Sequence, residues 1–84
     1  MENKVAVLAI VAENRDSAEQ LNHILHEYGQ YIIGRMGIPY RARGVNVISV
    51  VVDAPHDVIS AMAGKIGTLP MVNIKTAYSG CNEQ

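Results

Sequence analysis

Tryptophan and phenylalanine are absent from this sequence, and four tyrosines are its only aromatic residues. Because 49% of the residues are nevertheless hydrophobic, the core must be built from aliphatic side chains and methionine. No apolar run approaches the ~20 residues that a membrane-spanning helix needs, so we expect no membrane contact. Basic residues are also few, and the net charge of −1 argues against direct binding of nucleic acid.

Cysteine is almost absent too, since Cys81 is the only one and lies in a polar tail. A single thiol has no partner for a disulfide within the chain and cannot form a site with several thiolates. The apolar stretch 5–12 is at the short limit for the core of a signal peptide and is more typical of a central strand. We therefore expect a protein of the reducing cytoplasm.

The length of the chain, 84 residues, leaves room for one domain. We predict a single domain over 1–84, in which the tail 79–84 frays. The predicted elements are, in chain order, a strand over 4–12, a helix from Asp16 to Tyr28, a strand over 31–38, a strand over 45–53, a helix from Pro55 to Gly67 and a strand over 71–78. Gly64 could end the second helix one turn earlier.

Local signals set the expected ends of these elements. Asp16 with Glu19 forms a variant of the capping box at the start of the first helix. Asp53 or Ala54 is the expected cap of the second helix. Gly34, inside the second strand, indicates a bulge or the close approach of another backbone or ligand.

The order strand, helix, strand, strand, helix, strand predicts an α+β fold. With right-handed crossovers it gives a ferredoxin-like βαββαβ sandwich, in which two helices cover one face of a four-stranded antiparallel sheet. The first and third strands are apolar on both faces, as the central strands of that sheet should be. The sheet face without helices needs another cover, so we predict a homodimer or homotetramer.

Catalytic groups are not recognisable in the sequence. No Ser, Cys or Lys lies in a known nucleophile motif, and no glycine-rich phosphate loop follows the first strand, so we predict no catalytic residues, no enzyme and no cofactor. His23 and His26 are spaced i and i+3, but they lie on the polar side of the first helix, and His56 lies at the start of the second. Solvated histidines explain all three, so we predict no metal site within the chain, although a metal held between subunits stays open.

Two short segments are the candidate binding sites for a partner or small ligand. Gly34, Arg35, Met36 and Gly37 place two glycines in a strand, which indicates a subunit contact or a ligand. Asn14 and Arg15 lie in the loop between the first strand and the first helix, where they could face a neighbouring subunit.

Basic residues concentrate around the second strand. Arg35, Arg41 and Arg43 lie near Tyr31 and Tyr40 and could bind an anion or the acidic surface of another protein. A charged hairpin that keeps its strands soluble explains the same residues equally well.

The segment 28–44, running into 47–53, resembles the family of small ACT-like proteins known as iron-only ([FeFe]) hydrogenase system regulators. The resemblance continues through 59–70 and 72–75. It implies a ferredoxin-like fold similar to ACT domains and to the C-terminal domain of nickel-responsive repressors. It also implies a regulatory role in organisms that carry [FeFe]-hydrogenase maturation genes.

The resemblance also supplies the functional hypotheses. The first is a non-enzymatic oligomeric regulator, which acts through contacts with another regulatory protein or a small ligand around Gly34–Gly37 and the Asn14–Arg15 loop. The second is an ACT-type sensor of an amino acid or other metabolite, although ACT domains usually have a glycine in the first strand-to-helix loop and this chain has Ala12-Glu-Asn-Arg15. The third is a metal-responsive regulator, but the His and Cys ligands of nickel-responsive repressors have no matching positions here.

Overall fold

The two segments that are apolar on both alternating faces form the two central strands of one antiparallel sheet. A computed structural model describes residues 2–80, and the strand order is β2-β3-β1-β4. The elements are β1 (Asn3–Ala12), α1 (Arg15–Glu27), β2 (Ile32–Tyr40), β3 (Val45–Pro55), α2 (His56–Gly67) and β4 (Val72–Tyr78). This arrangement confirms the predicted ferredoxin-like α+β fold and the central positions of the first and third strands.

The core lies between the sheet and the two helices. Every second residue of β1 and β3 points into it, so that Leu8 and Val50 are fully buried while Val7 is 37% exposed. The helices contribute an apolar stripe each, as their spacing predicts. The buried hydrophobic residues are Ala6, Leu8, Ile10, Ala12, Leu21, Leu25, Ile48, Val50, Val52, Ala54, Ile59, Met62 and Ile66.

The cap of α1 is Asn14, so the predicted capping role of Asp16 is wrong. Asn14 has an extended backbone, and its Oδ1 accepts the backbone N–H groups of Asp16 at 2.8 Å and Ser17 at 3.4 Å. Asp16 instead lies in the first helical turn, where its carboxylate is favourably placed at the positive end of the helix dipole.

Helix α2 begins one residue later than predicted, and neither Asp53 nor Ala54 caps it. Strand β3 continues through Pro55, which is paired with Asn3 and has an extended ψ of 150°. This pairing keeps Asp53 and Ala54 in the sheet, opposite Val5 and Lys4. Pro55 is the N-cap residue, without a side-chain hydrogen bond.

The register between β2 and β3 shifts between Ile32 and Gly34, where the glycine predicted a bulge. Ile32 is paired with Val52 and Gly34 with Val51, so the bulge decides which face each later residue of β2 occupies. Pro39 lies within β2 and does not end it. An edge strand tolerates proline because one of its sides has no neighbour to accept an N–H.

Three side-chain contacts link the helices to each other and to the chain before β4. Ser17 is a buried residue of α1, and its hydroxyl donates to the carbonyl of Pro70, just before β4. Lys65 of α2 lies 3.8 Å from the Glu27 carboxylate and 5.1 Å from the centre of the Tyr28 ring. The Tyr28 side chain, and then the negative charge of Glu27, raise the pKa of Lys65 above its ordinary value.

The chain leaves the sheet through Ser79. Its backbone N–H donates to the Val5 carbonyl at 2.8 Å, and its hydroxyl accepts the Val5 N–H at 3.2 Å. The rest of the tail that we expect to fray, from Cys81 onward, lies outside the described residues. Between residues 2 and 80, no helix has the length and apolar character to cross a membrane.

Candidate functional site

The sheet surface opposite the helices, here called the open face, has no cover within the described chain. It presents every second side chain of the four strands, beginning with Val5 and Val7 on β1. The most exposed large apolar residues of the first three strands, 37–62% exposed, are Val5, Val7, Ile33, Met36, Ile38, Tyr40 and Val47. All but Ile33, which lies at the bulge, are placed on the open face by the strand registers.

The registers arrange this surface in rows that cross all four strands. Starting from β2, the rows are Gly34–Val51–Val7–Ala77, Met36–Ser49–Ala9–Lys75 and Ile38–Val47–Val11–Asn73. The middle of the surface consists of Ser49 and Ala9, which are small, with valines on both sides. The open face therefore has small and apolar side chains at its centre and polar groups toward the β4 edge.

The four candidate residues of β2 do not form one cluster. Gly34 and Met36 lie on the open face, opposite Val51 and Ser49. Arg35, opposite Val50, points to the helix side of the sheet, as does Gly37 opposite Ile48. A strand places successive side chains on opposite faces, so the segment contributes to two surfaces.

Neither glycine of this segment is required by a close contact within the described chain. A β-carbon added to Gly34 would meet no atom within 4 Å, and one added to Gly37 would lie 4.0 Å from Ile48 Cγ1, an ordinary contact. The two glycines predict that another backbone or ligand approaches the strand closely, and no group inside the described protomer does so.

Arg35 connects β2 to the first helix. Its Nη2 donates to Oδ1 of Asn22 at 3.0 Å, on the helix side of the sheet. Clefts of about 220 Å³ and about 480 Å³ lie between α1 and β2, and both are lined by Asn22 and Arg35. The hydrogen-bonded pair of Arg35 and Asn22 therefore borders both clefts.

The two candidates predicted in the β1–α1 loop have different roles, and Arg15 is the first residue of α1. Asn14 is occupied as the helix cap. Arg15 lines an open cleft of about 710 Å³ together with Tyr40, Arg41 and Asn46. Arg15 thus lines the same cleft as Arg41, and the glycine-containing segment of β2 does not line it.

Asn46 is a cleft residue that the sequence analysis missed. The signal for it is a polar residue between Val45 and Val47 in a strand that is otherwise apolar. Its amide is half-buried and could donate to or accept from a bound group.

The three histidines lie in two different places. His56 stacks on Tyr78, with ring centres 5.0 Å apart, whereas His23 and His26 lie on the exposed side of α1. Within the part of the chain that the structure describes, no group of three or more His, Cys, Asp and Glu residues could hold a metal ion.

Comparison with known proteins gives a family and a structural relative. The family model described as "TM1266-like: Iron-only hydrogenase system regulator, putative" matches residues 4–76. The solved structure of the uncharacterized protein TM1266 from Thermotoga maritima is similar, with a TM-score of 0.89 and 30% sequence identity. The similarity covers 93% of this chain and 99% of that one. No curated protein matches the chain.

The family match covers most of the chain, including both central strands, both helices and the β2 segment of the open face. The structural match shows that the strand order and helix placement are shared with that relative. The chain therefore belongs to the TM1266-like family of iron-only hydrogenase system regulators.

Proposed function

We propose that this protein is a non-enzymatic regulator of the iron-only hydrogenase system and that it works as a homo-oligomer assembled through the open face. The observation that carries the proposal is the row of exposed apolar side chains on strands that form the centre of the sheet. Val7 and Val47 are 37% and 41% exposed in the protomer, although they belong to β1 and β3. Covering such residues stabilises a protein by removing apolar area from water.

The size of the open face suits a second copy of this chain. Four strands about 4.8 Å apart and about seven residues long give a flat area of roughly 500 Å². Interfaces of standard size bury roughly 600–1,000 Å² of accessible surface on each partner, and the open face lies just below that range before the surface of its projecting side chains is counted. The thin core of so short a chain makes the added burial valuable.

The charges on the open face also favour a self-contact. Its strand positions carry one acidic residue, Asp53, and one basic residue, Lys75, on different strands. Two identical copies therefore meet without an excess of like charge. A two-fold contact uses the same patch on both subunits, which requires this kind of self-complementarity.

The regulatory part of the proposal is supported by the family, whose description names the iron-only hydrogenase system. The net charge of −1 favours contacts with a protein or a small ligand over contacts with DNA. The absence of a recognisable nucleophile motif in the sequence favours a role without catalysis. A cytoplasmic site of action fits a chain with one cysteine.

Deletion and complementation in an anaerobic host that carries an iron-only hydrogenase test this function. We expect the deletion to change hydrogenase transcript levels or activity, and the wild-type gene to restore them. Val47→Lys, which places a charge on the open face, should fail to restore them. Gln20→Lys, which adds the same charge on the exposed side of α1, is the matched control and should restore them.

If the deletion leaves hydrogenase transcripts and activity unchanged, the regulatory proposal is wrong. If Val47→Lys restores them as well as Gln20→Lys does, regulation does not need the open face. The two parts of the proposal can therefore fail separately.

A further inference from the structure

An open cleft lies where the β2–β3 connection meets the start of α1. Its volume is about 710 Å³, within the range of roughly 300–1,000 Å³ that small-molecule sites occupy. Arg15 from α1 and Arg41 from the turn after β2 line the same cleft. Elements that are distant in sequence thus bring two guanidinium groups to one concave surface.

These guanidinium groups have no partner within residues 2–80. Neither Arg15 nor Arg41 makes an ion pair or a side-chain hydrogen bond there, whereas Arg35 is bonded to Asn22. No Asp or Glu lines the cleft, although Glu13 and Asp16 are close to Arg15 in sequence. Each guanidinium therefore keeps its full set of N–H donors for a ligand.

The other walls of the cleft suit the uncharged part of an organic molecule. Tyr40, Pro39 and Val45 line the cleft, and Tyr40 is 52% exposed, so apolar surface is available beside the two arginines. Asn46 adds one amide that can donate or accept a hydrogen bond. The cleft thus combines two guanidinium groups, which can bind an anion, with apolar surface that can contact the rest of an organic molecule.

We propose that this cleft binds a small organic oxyanion, either a phosphate ester or a polycarboxylate. Arg15 and Arg41 donate forked, charge-assisted hydrogen bonds to the anionic oxygens, a geometry that arginine provides for both groups. Tyr40 and Pro39 contact the remainder of the molecule. The inference deepens the proposed function, and rests on it for its biological meaning, because it names the class of ligand to which the regulator would respond.

The position of Tyr40 relates the cleft to the open face. Tyr40 is paired with Val45 at the end of β2, and the register places both on the side away from the helices. A ligand that contacts the Tyr40 ring therefore lies at the rim of the surface proposed for self-association. This is where a bound molecule would meet an adjoining copy.

The test is a titration of the purified full chain with pyrophosphate and, separately, with citrate, followed by amide chemical shifts and calorimetry. About 150 mM sodium chloride screens diffuse attraction between exposed charges. We expect saturable binding of at least one probe, with the largest shifts at Tyr40, Gly44 and Asn46. Binding of pyrophosphate alone assigns the site to phosphate groups, and binding of citrate alone assigns it to carboxylates.

Three variants locate the binding. Arg15→Gln and Arg41→Gln should each weaken it by at least about tenfold, the usual effect of losing a charge-assisted hydrogen bond. Arg43→Gln, two residues from Arg41 but outside the cleft lining, is the matched control and should change the affinity by less than about twofold. Arg15→Lys, which keeps the charge but not the fork, should weaken binding less than Arg15→Gln.

The absence of saturable shifts for both probes at concentrations up to about 10 mM overturns the proposal. Equal effects of Arg43→Gln and Arg41→Gln also overturn it, because they show diffuse attraction and not a site. Amide spectra of each variant without ligand identify any that fail to fold. Self-association is measured separately by sedimentation, so failure of the ligand proposal is distinguishable from failure of the proposed assembly.

Discussion

Arg35 on strand β2 and Asn22 on helix α1 form a hydrogen bond of 3.0 Å that joins the edge of the sheet to the helix layer. The neighbour of Arg35 in the chain, Met36, lies on the opposite face of the sheet and is 61% exposed. Two consecutive residues therefore belong to opposite surfaces of the sheet, and only that of Met36 is proposed to bind a second copy. This separation makes the contribution of each surface measurable.

Arg35→Ala should leave self-association unchanged, because Arg35 does not lie on the open face. It should lower the free energy of unfolding by only about 0.5–1.5 kcal/mol, the usual contribution of one exposed hydrogen bond. Met36→Lys should instead abolish self-association and leave the stability of the protomer nearly unchanged. Sedimentation velocity and urea unfolding of the two variants measure these effects, and loss of assembly in Arg35→Ala would contradict the face assignment.

Gly34→Ala and Gly37→Ala form a second matched pair. A β-carbon at either position meets no atom within 4 Å except Ile48 Cγ1 at 4.0 Å from Gly37, so both protomers should fold. Alanine is favoured over glycine in a strand by about 0.5–1 kcal/mol, which should appear in both as higher stability. Only Gly34→Ala should weaken assembly, since only Gly34 lies on the open face.

Equal dissociation constants for Gly34→Ala and the wild type, measured by sedimentation equilibrium, would show that no second copy approaches this glycine closely. The prediction of a close approach at the β2 segment would then lose its physical basis.

Ser17→Ala should destabilise the protein through the link between α1 and the chain before β4. The Ser17 side chain is buried and donates to the Pro70 carbonyl, so the substitution removes one intramolecular hydrogen bond. We expect a loss of about 1 kcal/mol in the free energy of unfolding. Ser60→Ala, at an exposed position of α2, is the control and should change it by less than about 0.5 kcal/mol. Equal losses in the two variants would contradict a structural role for Ser17.

Met71→Asn should stabilise the protein. Met71 has a φ of 60°, a left-handed backbone conformation that asparagine tolerates better than methionine does. Its side chain is 58% exposed, so little packing is lost, and we expect a gain of about 0.5–1 kcal/mol. Met71→Leu keeps the same backbone penalty and should show no gain. A decrease in stability for Met71→Asn, measured by thermal unfolding, would contradict this assignment.

The fold was predictable because the strongest pattern in the sequence is also its strongest physical constraint. Segments such as 45–53, apolar on both faces, are stable only at the centre of a sheet, and the order of elements then leaves one compact topology. The helix starts were less predictable. Asn14 and Asp16 are both good cap residues, and the extended backbone at Asn14 decides between them.

The candidate sites were predictable only in part because strand register cannot be determined from the local sequence. Gly34 and Arg35 are adjacent in the chain, yet the faces they occupy depend on the bulge between Ile32 and Gly34. The meeting of Arg15 with Arg41 depends on how the β2–β3 connection packs near α1. The residue types alone do not show that Arg15 and Arg41 line one cleft.

Self-association through the open face is the central claim, and sedimentation equilibrium of the purified protein over micromolar concentrations tests it most directly. We expect the wild type to sediment as a dimer or tetramer of the 9.1 kDa chain. Val47→Lys should sediment as a folded monomer, with an unchanged circular dichroism spectrum. A wild-type protein that remains a folded 9.1 kDa monomer throughout this range would contradict the account.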